Sequence, residues 1–387
     1  MLSLRDFWRR HRRKVFVTVG VLGSGYVLYK LYHAHKQKLS DLERELEGER
    51  ATDELIKAQL QAHFENIQRI ADSTTLPYSM NYLQSRISEE LDLSHLTARL
   101  SQGKGQPNTL TSLEKLQLWE RLKILSFTRM ISSLWGMTML SLYIRVQVNI
   151  LGRHLYIDTA REGSHLLEQA DPFDRHSHQE FLATADYLSS YGMITLISDM
   201  QTAAAEVLNG KQLRDLFNTN LLHETIVLIL DIFMSLGGPN HWVTYLMPEN
   251  AIAYKYQMAT SSSTLLPDVT KLDQLMVETR SVLLCDDFRN VVTISLRTVV
   301  DALMDDIGLQ SGGNPSIGIP LAKLLPRVAQ MGPLLLEEPG SNRFIQIIRR
   351  LPEVELFYTL LYANMPPSET TQEADSSFNS TSPFSGQ

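Results

Sequence analysis

An all-α fold is predicted: an N-terminal transmembrane helix followed by an elongated helical bundle built around long helices. Three observations predict it. The chain of 387 residues is 43% hydrophobic and 20% charged, with Leu the commonest residue, so it can bury a sizeable core. Apolar residues recur at helical spacing over long stretches, while period-two alternation is scarce. Gly and Pro gather in a few places, which suits long helices joined by punctuated loops.

The first element is the anchor. A basic block (Arg9, Arg10, Arg12, Arg13, Lys14) precedes an uncharged run from Val15 through Val21 to Tyr29, and after Lys30 the apolar character continues to Tyr32. As a helix, Val15 to Tyr32 would rise about 27 Å, close to the hydrocarbon thickness of a bilayer. Lys30 can snorkel, and Tyr26, Tyr29 and Tyr32 suit the interface. A cleaved signal peptide needs small residues at its processing site, and Tyr32-His33-Ala34-His35 supplies a poor one. Residues 1–38 are expected to form this basic N-terminus and anchor, 39–365 an all-helical domain, and 366–387 a Ser/Thr/Pro/Glu-rich tail that reads as disordered.

Charge and cysteine usage narrow the function. Residues 1–38 hold nine Lys/Arg and one acid, leaving 27 bases and 42 acids of the chain's 36 and 43, a net of −15. An acidic body does not track a phosphate backbone, so a nucleic-acid partner is not expected. The lone Cys285, beside Val282, Leu283 and Leu284, reads as core packing in a reducing compartment.

Within the body, Leu39 to about Ala71 keeps a helical period that Thr75-Leu76-Pro77 should end, and a second helix runs to about Leu100. After the loop Ser101–Pro107, a very long helix is predicted over 111–151, with Thr111 or Ser112 as N-cap and Glu114 in the first turn. Met130 to Leu151 carries one charge, Arg145, and invites a second transmembrane reading. Arg145, Gln147 and Asn149 are expensive in lipid, which favours a central core helix instead. Further helices are predicted at 178–208, 212–236, 268–285, 287–308, 319–331 and 341–364.

A search for chemistry finds none. Asp171, Asp174, His176 and His178 lie close in sequence but lack a helical His pair, and Pro172 and Arg175 interrupt them. Ser112-Leu113-Glu114-Lys115 matches Ser-x-x-Lys without its companion motifs, and helix-start chemistry explains the serine. No phosphate loop and no nucleophile elbow occurs. Neither an enzyme nor a metal, cofactor or small-molecule substrate is expected.

The segment Leu118-Trp119-Glu120-Arg121-Leu122-Lys123-Ile124-Leu125-Ser126-Phe127-Thr128-Arg129 is distinctive. With Ile144–Gly152, the later Ile319-Pro320-Leu321-Ala322-Lys323-Leu324-Leu325-Pro326 and the basic anchor, it resembles the peroxisomal biogenesis factor 3 (peroxin 3) family. The resemblance implies a peroxisomal membrane protein whose large helical domain faces the cytosol, although the positive-inside rule alone would keep the basic N-terminus there. It implies docking of peroxin 19, the chaperone of newly made peroxisomal membrane proteins, whose N-terminal segment lies as an amphipathic helix in an apolar groove. The family's groove residues correspond to Trp119, Lys115, Leu100 and Lys323, and Leu116 and Leu122 flank the tryptophan. Peroxisomal membrane lipid is the second implied partner, with the basic block as a targeting signal. An organelle tether or inheritance scaffold using another surface of the helical domain is the alternative.

Overall fold

The structure, a computed structural model, describes residues 58–59, 61–102, 111–162, 172–258, 270–310 and 318–363. The chain divides into two compact units, Met1–Glu65 and Asn66–Gln387, and of the first only residues 58–59 and 61–65, all helical, are described. The basic block, Val15, Val21, Tyr29, Tyr32 and the tail 366–387 lie outside the described residues. No described helix is long and apolar enough to cross a membrane.

The described residues of the second unit are almost wholly helical. Its helices are α1 (Leu76–Glu90), α2 (Ser94–Gln102), α3 (Ser112–Glu162), α4 (Pro172–Ala183), α5 (Met193–Leu208), α6 (Thr219–Ser235) and α7 (Val243–Leu246). They continue with α8 (Ala251–Met258), α9 (Thr270–Leu284), α10 (Asp286–Gln310), α11 (Leu321–Leu336), α12 (Arg343–Arg349) and α13 (Pro352–Ala363). Two short strands, β1 (Leu216–Phe217) and β2 (Ile319–Pro320), pair antiparallel and fasten the start of α11 to the chain ahead of α6.

The organising element is α3, 51 residues long. Its first turn closes a capping box: the Glu114 amide donates to the Thr111 hydroxyl at 3.2 Å, and the Thr111 amide donates to the Glu114 carboxylate at 2.7 Å. These bonds hold the Glu114 carboxyl below its ordinary range. From Phe127 to Leu151 nearly every side chain is buried, because α1, α5, α10, α11 and α13 all pack on this helix. That explains a stretch hydrophobic all round, and several of its polar residues find partners inside the protein. Gln147 donates to the Phe181 carbonyl at 2.9 Å and to Thr184 at 2.7 Å, and Asn149 receives Gln68 at 2.9 Å.

Several boundaries differ from the sequence reading. Thr75-Leu76-Pro77 does not end the helix: the chain passes through a π-turn, Ala71–Thr75, straight into α1, with Thr75 and Leu76 both right-handed helical. The wider turn accommodates the missing N–H of Pro77 near the start of the new helix. The break comes later, at Leu91, whose backbone leaves the helical region and separates α1 from α2. Helix α6 begins at Thr219 rather than 212, capped by the Asn218 side chain, which accepts from the Leu221 amide at 2.7 Å. Cys285, expected in the core, is half-buried at the break between α9 and α10, where its sulfur accepts from the Phe288 amide at 3.3 Å.

Candidate functional site: an apolar groove

Three helices build a groove at the N-terminal third of α3. Helix α2 starts where the Asp92 carboxylate accepts from the Ser94 amide at 2.9 Å, an arrangement that holds Asp92 below its ordinary range. Its apolar face then lies on α3. Leu93, Leu96, Leu118 and Leu122 form a buried cluster, with Leu100, Trp119, Leu125 and Ala329 packed partly exposed around it. Helix α11 supplies the second wall and packs on α3 more extensively than any other element does. The two helices come close at Gly332, where a Cβ would stand 3.2 Å from Arg129 Cγ and 3.3 Å from the Arg129 carbonyl oxygen.

Between these walls lies a cavity of about 280 Å³ lined by Leu93, Thr97, Leu122, Ser126, Arg129, Leu325, Pro326, Ala329 and Pro333, among others. The hydroxyls in it are turned onto their own helices: Ser126 donates to the Leu122 carbonyl at 2.7 Å and Thr97 to the Ser94 carbonyl at 2.9 Å. The groove therefore presents apolar surface despite its polar side chains. Arg129 is the exception. Burial pushes its guanidinium below the ordinary value, and Asp92 partly offsets this.

Of the sequence-predicted residues, Leu100, Trp119 and Leu122 come together in this cluster. Lys115 is exposed one turn before Trp119 on the same helix. Lys323 is exposed on α11, sharing a helix face with the groove residues Pro326 and Gln330. Leu116 is 56% exposed near the still more open Leu113, and it is not part of the buried cluster. The two faces of α3 here are thus distinct: Leu122, 6% exposed, is floor, while Leu116 is rim.

The sequence reading missed Leu325, Ala329, Pro333 and Arg129. It ended the last groove helix at 331, whereas α11 runs to Leu336 with Pro326 and Pro333 inside it. The signal was present, since two prolines seven residues apart occupy one helix face and leave its apolar period unbroken.

A larger cavity, about 370 Å³, lies between α6 and α10, lined by Leu230, Met234, Arg289, Leu296, Arg297 and Val300 among others. Arg289 there is already engaged by Asp286 at 2.7 Å and Asn240 at 2.9 Å, and no sequence-predicted residue lines the space. Size alone does not make it the better candidate. Among the described residues, no group of His, Cys, Asp and Glu could hold a metal ion. Asp171 and the side chains of Asp174 and His176 lie outside the described residues.

The Peroxin-3 family model matches residues 6–113 and 104–364. The chain is 58% identical to "Peroxisome biogenesis protein 3-2" of Arabidopsis thaliana over 367 residues, covering 94% of this chain and 99% of the relative. It is 55% identical to "Peroxisome biogenesis protein 3-1" of the same plant, with the same coverage. "Peroxisomal biogenesis factor 3" of Bos taurus is 28% identical over 93% of this chain and 96% of its own. With more than half of its length matched by the family and close full-length relatives, the chain belongs to the Peroxin-3 family, with a role in peroxisome biogenesis.

Proposed function

We propose that the protein is a membrane docking receptor for the peroxin 19 chaperone, needed for targeting and insertion of peroxisomal membrane proteins. The observation that carries this reading is the groove itself: Leu100, Trp119 and Leu122 in one apolar cluster, walled by a third helix. Such a surface suits an amphipathic helix whose apolar face supplies a few anchors. Trp119, partly exposed over a fully buried floor, has the setting of a residue that contributes a large share of binding energy. Lys115 and Lys323 would attract an acidic partner and act on association rate more than on affinity.

In this proposal Val15 to Tyr32 anchors the chain in the peroxisomal membrane, in contact with its lipid. Residues 39–365 form the docking domain on the cytosolic side, 366–387 stay outside it, and no catalytic step is involved. The test is a titration of the full-length chain with a labelled N-terminal peptide of peroxin 19, for wild type and Trp119→Ala. The mutant should bind more weakly by roughly 2 kcal/mol, with unchanged circular dichroism. Equal binding by a folded mutant moves the site away from Trp119. Absence of binding by the wild type refutes the docking role.

A further inference from the structure

We propose that Arg129 receives a carboxylate of the docked helix, which makes it the residue that fixes the direction and register of docking. This rests on the docking reading and adds to it the chemistry of the partner's far end.

The two ends of the groove differ. Lys115 stands exposed one turn before Trp119 at one end, and Lys323 is exposed on α11. At the opposite end Arg129 is held in place: its stem lies against α11 at Gly332, where a Cβ would come within 3.2 Å of it. Its guanidinium makes no hydrogen bond and no ion pair among the described residues, and Nε is withdrawn from water without a partner. The two terminal nitrogens are not withdrawn in this way, so they are the atoms a docked group can reach and supply with an acceptor.

The acids near this end do not supply it. Asp92 attracts Arg129 but forms no ion pair with it, and its carboxylate is taken by the Ser94 amide at 2.9 Å. Glu120, farther up α3, is engaged by the buried Lys123 at 2.7 Å. What fits an unmatched, preoriented guanidinium beside an apolar groove is a planar carboxylate, which it can hold through two parallel bonds.

Spacing sets the register. Trp119 and Arg129 are ten positions apart on α3, a rise of about 15 Å. A docked helix running along the groove would therefore place its Trp119-facing anchor and its acid about ten residues apart, with apolar anchors between them at helical spacing. Because an Arg fork selects carboxylate geometry and a Lys does not, the groove reads which end of the partner carries the acid.

The experiment is a double-mutant cycle on the full-length chain with the labelled peroxin 19 peptide. Each Asp and Glu of the peptide is changed singly to its amide and measured against wild type, Arg129→Gln, Arg129→Lys and Asp92→Asn. Arg129→Gln should weaken binding about tenfold and Arg129→Lys about threefold. One peptide acid should matter to the wild type and not to Arg129→Gln. Asp92→Asn keeps the cap on Ser94, frees Arg129 from its competitor, and should tighten binding two- to threefold. Wild-type affinity in Arg129→Gln, or losses that simply add for every peptide acid, overturns the inference while the docking reading stands. No binding by wild type overturns both. Tighter binding after removal of residues 366–387 would assign Arg129 to the chain's own Glu369, Glu373 or Asp375 and likewise overturn it.

Discussion

Arg145 and Asp72, 73 positions apart in the chain, meet in the protein interior at 3.1 Å. Arg349 takes the other oxygen of the same carboxylate at 2.7 Å, and the Arg145 guanidinium lies 5.8 Å from the centre of the Tyr358 ring. Tyr358 in turn donates to the Leu142 carbonyl at 2.7 Å, and burial pushes its phenol well above the ordinary value. One carboxylate thus fastens the π-turn, the middle of α3 and the C-terminal helices together.

Removing that carboxylate should be costly. Asp72→Ala leaves Arg145 buried without its counter-charge, for which about 3–5 kcal/mol of stability is the expected loss. Arg145→Met, which removes the buried charge and keeps the bulk, should cost clearly less. Urea unfolding midpoints of the two variants check the order; an Arg145→Met protein as unstable as Asp72→Ala would refute the argument.

A methyl group at position 192 has no room. A Cβ at Gly192 would stand 2.1 Å from the backbone oxygen of Tyr245, whose ring stacks on Phe233 at 5.7 Å and meets Trp135 at 6.0 Å. Backbone cannot swing aside as a side-chain tip can, so Gly192→Ala should lose about 1–3 kcal/mol. Gly340→Ala, where nothing lies within 4 Å, is the control and should melt within a degree or two of wild type.

Asp186 gives a pH signature. Burial raises its carboxyl, against a hydrogen bond from Ser79 at 3.0 Å that lowers it. A carboxyl whose folded value exceeds its unfolded value subtracts stability once it ionises, and that loss disappears as pH falls through the folded value to the unfolded one. Asp186→Asn retains an acceptor for Ser79 and should raise the melting temperature at pH 7. The gain should shrink toward zero near pH 4, and a gain that does not depend on pH would point to packing instead.

Leu116 and Leu122 separate binding from folding. Leu122, in the groove floor, should cost about 2–4 kcal/mol of stability on change to Ala. Leu116, on the rim, should leave thermal unfolding within about 0.5 kcal/mol of wild type while weakening the peroxin 19 peptide. Unchanged peptide affinity in Leu116→Ala would confine the contact to the Leu100–Trp119–Leu122 surface.

Local signals carried much of the fold. The capping box at Thr111 and Glu114 and the long apolar period after it announced α3, and α9 and α10 fall within two residues of their expected limits. The break between α1 and α2 was hidden because Leu91-Asp92-Leu93 contains neither Gly nor Pro. The start of α6 was misplaced because the Asn218 cap went unnoticed. The groove was half legible: its α3 face could be drawn from helical spacing once the resemblance singled out Trp119. Its α11 wall could not, because Leu325 and Ala329 reach it only through a pairing some 200 positions away in the chain. Periodicity reports which face is buried and says nothing of what buries it.

The length of α3 also fixes a distance. Trp119 and Gly152 stand on one unbroken helix, 33 residues apart and so about 50 Å along its axis. Ile67, near the point where the chain enters this unit, lies against Gly152, far down that axis from the groove. Under the proposed docking, a partner at the groove would sit at one end of this helix, and its own chain would have to cover the span to reach the other. That takes about 15 residues fully extended, or about 80 as a random coil. Linker length in the partner, more than affinity at the groove, would then set how often cargo reaches the far end of the helix.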